Sequence, residues 1–400
     1  MKPRGLFLFV LLLLPGGVVG SRGYQSTNLH RDALVMDSHV HMINRQFYLG
    51  GDIGDRYQDG QVDLPRLREG GVDAFWFSLT SSEAYHPRRF EVKQTFRLME
   101  LALEQIAKNN NMIEVALTGA DVERITRAGK MAAILDLEGG FDLDGDLLVL
   151  RALYRMGLRS TMLPAHNYTN NFADSCCDKP RWNGINERGR EVIREMNRLG
   201  MVINIAHGSN ETILQTVAES KDPVLWSHGG FRHFVNTNRS LSDEAARAIA
   251  SKGGVISIHF GNSFSNPAYY EWRMRHLGET QFGDVSKQLL EIAKIETIEE
   301  IDKHLARRQP SKPLAGPPEI MMEMDQILKV FDYGIRLVGE DHLALGIDFD
   351  GGVEPPKGMK DVRDYPKITA AFQRHGYSEQ RIRKIMGLNL LRLFKQVTRK

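Results

Sequence analysis

Cysteine is nearly missing: the chain has two in 400 residues, Cys176 and Cys177, and they are neighbours. Two such residues cannot build the disulfide framework of a small secreted scaffold or a thiolate zinc site, so any metal must be held by histidine and carboxylate. A bridge between neighbours closes a tight ring, and a pair of free or partly buried thiols is the simpler expectation. An excess of charge is missing too. Fifty-two Lys and Arg against 50 Asp and Glu leave a formal +2, and no dense basic run with interleaved aromatics occurs. That argues against nucleic acid as a partner and for small molecules. The composition, 42% hydrophobic and 26% charged, is that of a folded globular chain with enough length for one large α/β barrel or two domains.

A long unbroken apolar run occurs at the start. The opening "MKPRGLFLFVLLLLPGGVVGSRG" sets Lys2 and Arg4 before an apolar core from Leu6 to Leu14 and ends in small residues at Val18-Val19-Gly20. This core is short for a membrane span, and the order of charge, apolar core and small residues is that of a signal peptide. Residues 1–20 are therefore expected to be removed, leaving 21–400 exported to a periplasm or secreted; an uncleaved anchor is the competing reading. No cysteine follows that could take a lipid, and the final "LFKQVTRK" is no apolar anchor tail, so no stable membrane anchor is expected after cleavage.

Further along, short apolar runs recur at 33–39, 72–79, 131–138, 159–166, 201–207, 223–228, 254–260 and 342–348. Between them lie segments of helical periodicity such as "NERGREVIREMNRLG" and "EIMMEMDQILKVFDYGIRLVG", several ended by glycine. Eight buried strands alternating with helices predict a (β/α)8 TIM-type barrel. The rival, a doubly wound open sheet, lacks a G-x-G-x-x-G after the first strand. Residues 261–316 interrupt the alternation after strand seven and read as a helical insertion, one or two helices and a proline-rich turn. It would cover the mouth of an active site or a subunit interface, as in a homodimer. The final "YSEQRIRKIMGLNLLRLFKQV" has amphipathic spacing and is expected to pack on the outside of the barrel.

The carboxyl ends of barrel strands carry catalytic groups, and the unusual polar residues of this chain fall there. Strand one ends in "MDSHVH", whose His39 and His41, two apart, share one face of a strand; strand three ends in Glu138, and strands four, five, six and eight in His166, His207, His228 and Asp348. His39, His41, Glu138, His207 and His228 are too many ligands for one open tetrahedral site, whereas two ions sharing Glu138 use them all. Asp348 is then left to hydrogen-bond the bridging water and carry its proton. His233 and His259 lie near the same rim and read as a loop and a core histidine, and Asp350 and Gly351 as supporting or turn residues.

The stretches "DSHVH", "LDLEGG", "INIAHGS", "LWSHGG" and "GIDFDGG" resemble, in order, the signature stretches of the membrane (renal-type) dipeptidases, peptidase family M19 of the amidohydrolase superfamily. The resemblance runs from about 33 to 396, the insertion apart. It implies a barrel with two zinc ions that hydrolyses the peptide bond of dipeptides through a metal-bridging hydroxide. It places His39 on the first zinc, Glu138 between the two, His207 and His228 on the second, and Asp348 at the proton transfer. It further implies that His166, in "LPAHNYTNNFAD", binds substrate and that Arg239, in "NTNRSL", binds its carboxylate.

One departure stands out. The family pattern has H-x-D where this chain has His39-Val40-His41, so an imidazole replaces a carboxylate on the first metal and the net charge of the site rises by one. The sequons at Asn167 and Asn238 abut His166 and Arg239 and are read as unmodified. Three classes of function follow: a zinc dipeptidase, the same hydrolysis on another small amide or peptide natural product, and a metal-binding protein without turnover. Intact Asp348 and Arg239 argue against the third.

Overall fold

Strands buried on both faces need a partner on each edge, and here closure of the sheet supplies them. The computed structural model describes residues 29–398, so the expected signal peptide lies outside the described residues. Its strands are β1 (Met36–His41), β2 (Ala74–Thr80), β3 (Ile113–Val115), β4 (Met131–Glu138), β5 (Ser160–Met162), β6 (Val202–Asn204), β7 (Leu225–Trp226), β8 (Val255–Ile258) and β9 (Leu343–Leu345). They pair in parallel in the order β2-β1-β9-β8-β7-β6-β5-β4, and β2 pairs with β4 to close an eight-stranded (β/α)8 barrel. Each of the eight apolar runs holds one barrel strand. The ninth strand, β3, pairs with the first residues of β4 through Ile113↔Met131, and β5 takes over the same edge from Asp136↔Ser160. Three residues, Ile-Glu-Val, are too few to show as an apolar run, which is why the sequence does not announce it.

β1 carries a bulge. Asp37 faces Phe75 and Val40 faces Phe77, so three steps on β1 match two on β2. Strict alternation would turn His39 and His41 away from the interior that Met36 faces; the extra residue reverses the alternation and brings them in. Asp37 fixes this kink from outside the barrel: its carboxylate accepts from the His39 N–H at 2.8 Å, the Ile347 N–H at 3.1 Å and the Tyr365 hydroxyl at 2.6 Å.

The barrel's amino-terminal end is apolar and closed. Met36, Ala74, Trp76, Ala132, Ile134, Val202, Leu225, Val255 and Ala344 form one buried cluster with Leu390, Leu391, Leu393, Phe394 and Val397 of the last helix, Asn389–Val397. The expectation that this helix lies on the outside is thus corrected: it lies across the bottom opening, with the Phe394 ring edge-on to Trp76 at 5.7 Å. Its amphipathic spacing has the same signature in either place, because periodicity reports a buried face and not what buries it.

The insertion is richer than its sequence suggests, with four helices (Asn262–Ser265, Pro267–Leu277, Ser286–Ile292 and Ile298–Ala306) instead of one or two. Ile292, Ile298, Ile301 and Leu305 bury themselves on Ala84 and Tyr85 just beyond β2, and Asp302 accepts from the Tyr85 hydroxyl at 2.7 Å. These anchors hold the insertion over the carboxyl end of the barrel, at the active-site mouth, which is one of its two expected placements.

The plug yields a prediction. Removing a fully buried ring leaves a cavity that the rigid strand ends cannot fill, so Phe394→Ala should destabilise the chain by about 3–5 kcal/mol, read as a lower urea midpoint with unchanged m-value.

Candidate active site

The strand ends bring all the predicted site residues to one place. His39 Nε2 lies 3.3 Å from Glu138 Oε1, and His41 Nε2 lies 3.4 Å from Glu138 Oε2 and 2.9 Å from Asp348 Oδ1. From the far side His207 Nε2 and His228 Nε2 come to 3.5 and 3.7 Å of Glu138 Oε1, and His166 Nε2 to 3.8 Å. His166, His207, Asp348 and Asp350 have φ of 57°, 63°, 71° and 65°, a left-handed backbone that non-glycine residues avoid. Run 159–166 pairs only over Ser160–Met162, and the left-handed turn at its end re-aims the His166 side chain toward the opening. Gly351 is needed beside the turn at Asp348, since a Cβ there would sit 2.0 Å from Asp348 Oδ1.

Outer hydrogen bonds orient the imidazoles. Asn167 Oδ1 accepts from His207 Nδ1 at 2.8 Å, leaving the His207 Nε2 lone pair to face the centre. Thr80 donates its hydroxyl to Glu138 Oε2 at 3.1 Å and lies 2.9 Å from His41 Nδ1, which again turns Nε2 inward. Glu83, buried in the turn after β2, accepts from His166 Nδ1 at 2.5 Å and from the Asn167 N–H at 3.0 Å. One carboxylate thereby steers His166 directly and His207 through Asn167. The Asn167 side chain is buried and committed, in keeping with an unmodified sequon.

His259 is the buried core histidine that the sequence predicts, outside the candidate ligand triads, but with a partner the sequence does not announce. Its Nδ1 accepts from the Gly261 N–H at 2.6 Å, so its Nε2 carries the proton and donates to Asp348 Oδ2 at 3.0 Å. A single histidine after an apolar run offers no sign of that partner, 89 residues away in sequence. Glu83 and Thr80 also went unremarked, since neither has a motif of its own. His233 does stay in its loop, stacked on Tyr333 at 4.3 Å, and Asp350 accepts from the backbone N–H groups of Gln61 and Val62. Cys176 and Cys177 correct the expectation of free thiols: they are bonded to each other, and the Cys176 N–H donates to the His207 carbonyl at 2.7 Å.

Burial opposes every charge here, and neighbours decide the outcome. Desolvation alone would raise Glu138, but the surrounding imidazoles, His39 and His166 foremost, hold it well below the usual carboxylate range. Burial, helped by Arg239 and nearby imidazoles, pushes His207 and His228 well down, keeping them neutral and able to donate a lone pair. Arg239 is lowered to about 10 by burial against the pull of Glu138 and Asp348, and so stays charged at neutral pH. Its Nη2 donates to the His228 carbonyl at 3.2 Å, while Nε and Nη1 have no partner.

The donor set fits divalent cations. Both ring nitrogens of His39 are buried without a hydrogen-bond partner, and His207 Nε2 faces His228 Nε2 at 3.1 Å, an arrangement that a cation between them would satisfy. Ligand atoms of His39, His41 and Asp348, of His39, Glu138 and His228, and of Glu138, His166 and His207 lie within 4.8 Å of one another. These triads share Glu138 and His39 and cut across the sequence-based division into two ligand sets. The centre opens into a cavity of about 370 Å³, walled by Arg239 and, from the insertion, by Phe264, Arg273, Phe282 and Leu305.

Comparison with known proteins bears on this geometry. The model of a family described as membrane dipeptidase (peptidase family M19) matches residues 24–400. The dipeptidase tcpJ of Claviceps purpurea (strain 20.1) is 29% identical over 388 residues, covering 93% of this chain and 78% of that protein. Among solved structures, the probable dipeptidase PvdM from Pseudomonas aeruginosa superposes with a TM-score of 0.75 at 23% identity, over 93% of this chain and 97% of that one. A metallo peptidase from Rhodobacter sphaeroides, liganded with a phosphinate mimic of the dipeptide L-Ala-D-Ala, gives 0.70 at 22% identity, over 91% and 99%.

Behind Glu83 lies His86, buried with neither ring nitrogen bonded and pushed down to about 4 by that burial, with His166 and Arg89 adding to the effect against the pull of Glu83. It is neutral when folded and protonates near 6.5 when unfolded. Its environment therefore withdraws stability as pH falls from about 6.5 to about 4, by up to ~3 kcal/mol. His86→Leu should flatten that part of a stability-against-pH curve measured by urea unfolding, and leave the curve above pH ~7 unchanged in shape.

Proposed function

This chain belongs to the membrane dipeptidase family, peptidase family M19, and from that premise we propose that it is an exported zinc dipeptidase, whose two ions lie on His39, His41 and Glu138 and on Glu138, His207 and His228. The observation that carries the choice of dipeptides is Arg239. A buried guanidinium with two donors free, on the wall of the cavity that holds the histidine cluster, matches the planar carboxylate at the end of a dipeptide. A cavity of about 370 Å³ suits a ligand of that size.

When bound, the metal ions would polarise the scissile carbonyl and lower the pKa of the attacking water. The chain's own groups do the rest. Arg239 holds the terminal carboxylate and so fixes the distance from that end to the scissile bond. His166, which burial would keep neutral but the carboxylates of Glu83 and Glu138 hold protonated more readily than a free imidazole, gives its Nδ1–H to Glu83 and as the imidazolium turns Nε2–H toward the carbonyl oxygen, where it donates a hydrogen bond as charge develops. Asp348, steadied by His259, takes a proton from the water and passes it to the leaving amine. Zinc is favoured by the number of imidazoles in the set, and export by the leader-like residues 1–20.

Purified protein should carry close to two divalent ions per chain by metal analysis, and Glu138→Ala should lose both. A single tight ion, indifferent to that change, would defeat the shared-carboxylate arrangement. Arg239→Ala should lower kcat/KM on free dipeptides by about 100-fold or more, since it removes a charge-assisted anchor, and affect dipeptide amides far less. Equal losses on the two substrates would assign Arg239 a supporting role instead.

A further inference from the structure

β4 presents a graded column to the barrel interior. Ala132 and Ile134 belong to the apolar plug, Glu138 stands at the rim, and between them Asp136 is fully buried. Its neighbours in register are Ser78 on β2 and Ser160 on β5. One oxygen, Oδ2, lies 3.5 Å from Asn204 Nδ2 and 3.9 Å from His39 Nδ1; the other, Oδ1, has no hydrogen-bond partner. Among the described residues no lysine or arginine makes an ion pair with it. A carboxylate so placed is costly unless a cation lies nearby. The positive charge that would answer it is that of the proposed metal ions, and the group between Asp136 and the residues that would hold them is the His39 ring, with Nδ1 toward Asp136 and Nε2 toward Glu138.

We propose that Asp136 is the positioning residue of the first metal: it accepts the Nδ1 proton of His39, fixes that ring with Nε2 toward the ion, and supplies the negative charge that His41 does not. A metal-bound histidine commonly gives its second ring proton to a carboxylate, which raises its basicity and fixes its tautomer. In this chain that carboxylate also has a charge to balance, because the ligands assigned to the first ion include a single carboxylate, Glu138, which the second ion shares. The inference rests on the proposed zinc reading and asks a separate question of it.

The test is zinc competition against a chelator on the full chain, comparing wild type with Asp136→Asn and Asp136→Ser. The first-released zinc should bind about 10–100-fold more weakly in both variants, with the other ion little changed. The metal-free variants should unfold at the wild-type temperature or above it, since a buried charge has been removed; a residue serving packing alone would lower that temperature and spare the zinc. In Asp136→Asn combined with His41→Asp, a carboxylate returns on the other side of the ion, and affinity should come back to within about threefold of wild type. Zinc affinity in both single variants equal to wild type overturns the proposal, as does a double variant no tighter than Asp136→Asn. Should the variants not fold, a crystal structure of zinc-loaded wild type decides: an Asp136 oxygen within ~3.2 Å of His39 Nδ1, or joined to it by one ordered water, supports it, and separation without a bridge overturns it. A wild type that binds no zinc would sink the zinc reading itself, a result distinct from either.

Discussion

One buried carboxylate organises the upper half of this molecule. Glu138 sits where five histidines converge, each with a ring nitrogen within 3.3–3.8 Å of its oxygens. A charge held out of water must be surrounded by groups that answer it. The end of β4 cannot face a closed barrel mouth with glutamate unless β1, β5, β6 and β7 all bring donors or cations to meet it. The β1 bulge, the left-handed turns after β5 and β6, and the hydrogen bonds that the imidazoles make to Thr80, Glu83 and Asn167 are the local means by which they reach that position.

The two ends of the barrel solve opposite problems. Below, Phe394 and its neighbours on the last helix close the opening with apolar contacts. Above, the insertion covers the opening loosely, anchored on Ala84, Tyr85 and Asp302, so that a cavity remains. The strands between them grade from apolar to charged within four residues, as β4 shows from Ile134 to Glu138. Rigidity from the plugged end holds the strand ends in register, and the chemistry depends on that register.

Much of this was legible in the sequence, for reasons that differ by element. Buried parallel strands read as apolar runs, so the eight barrel strands and their closing polar residues could be found by eye, together with the ordered motifs of a known family. What escaped depends on information that a local pattern does not carry. Whether the amphipathic last helix meets the side or the bottom of a barrel is a matter of topology. His259 looks like any core histidine until Asp348 is beside it, and Cys176 and Cys177 carry no mark of their oxidation state. The bulge in "MDSHVH" is a related case: two histidines two apart were rightly placed on one face, but that this face is the interior depends on an extra residue set against β2.

The left-handed backbone at His166, His207, Asp348 and Asp350 has a consequence for how this protein tolerates change. Each such residue stores of order 1–3 kcal/mol of conformational strain, which glycine would release. A glycine substitution at these positions would trade that strain for lost hydrogen bonds, since Glu83, Asn167, His259 and the Gln61 and Val62 N–H groups would each lose a partner. The mouth of the barrel is therefore held in its strained form by its own partners, and added stability has to come from elsewhere in the barrel.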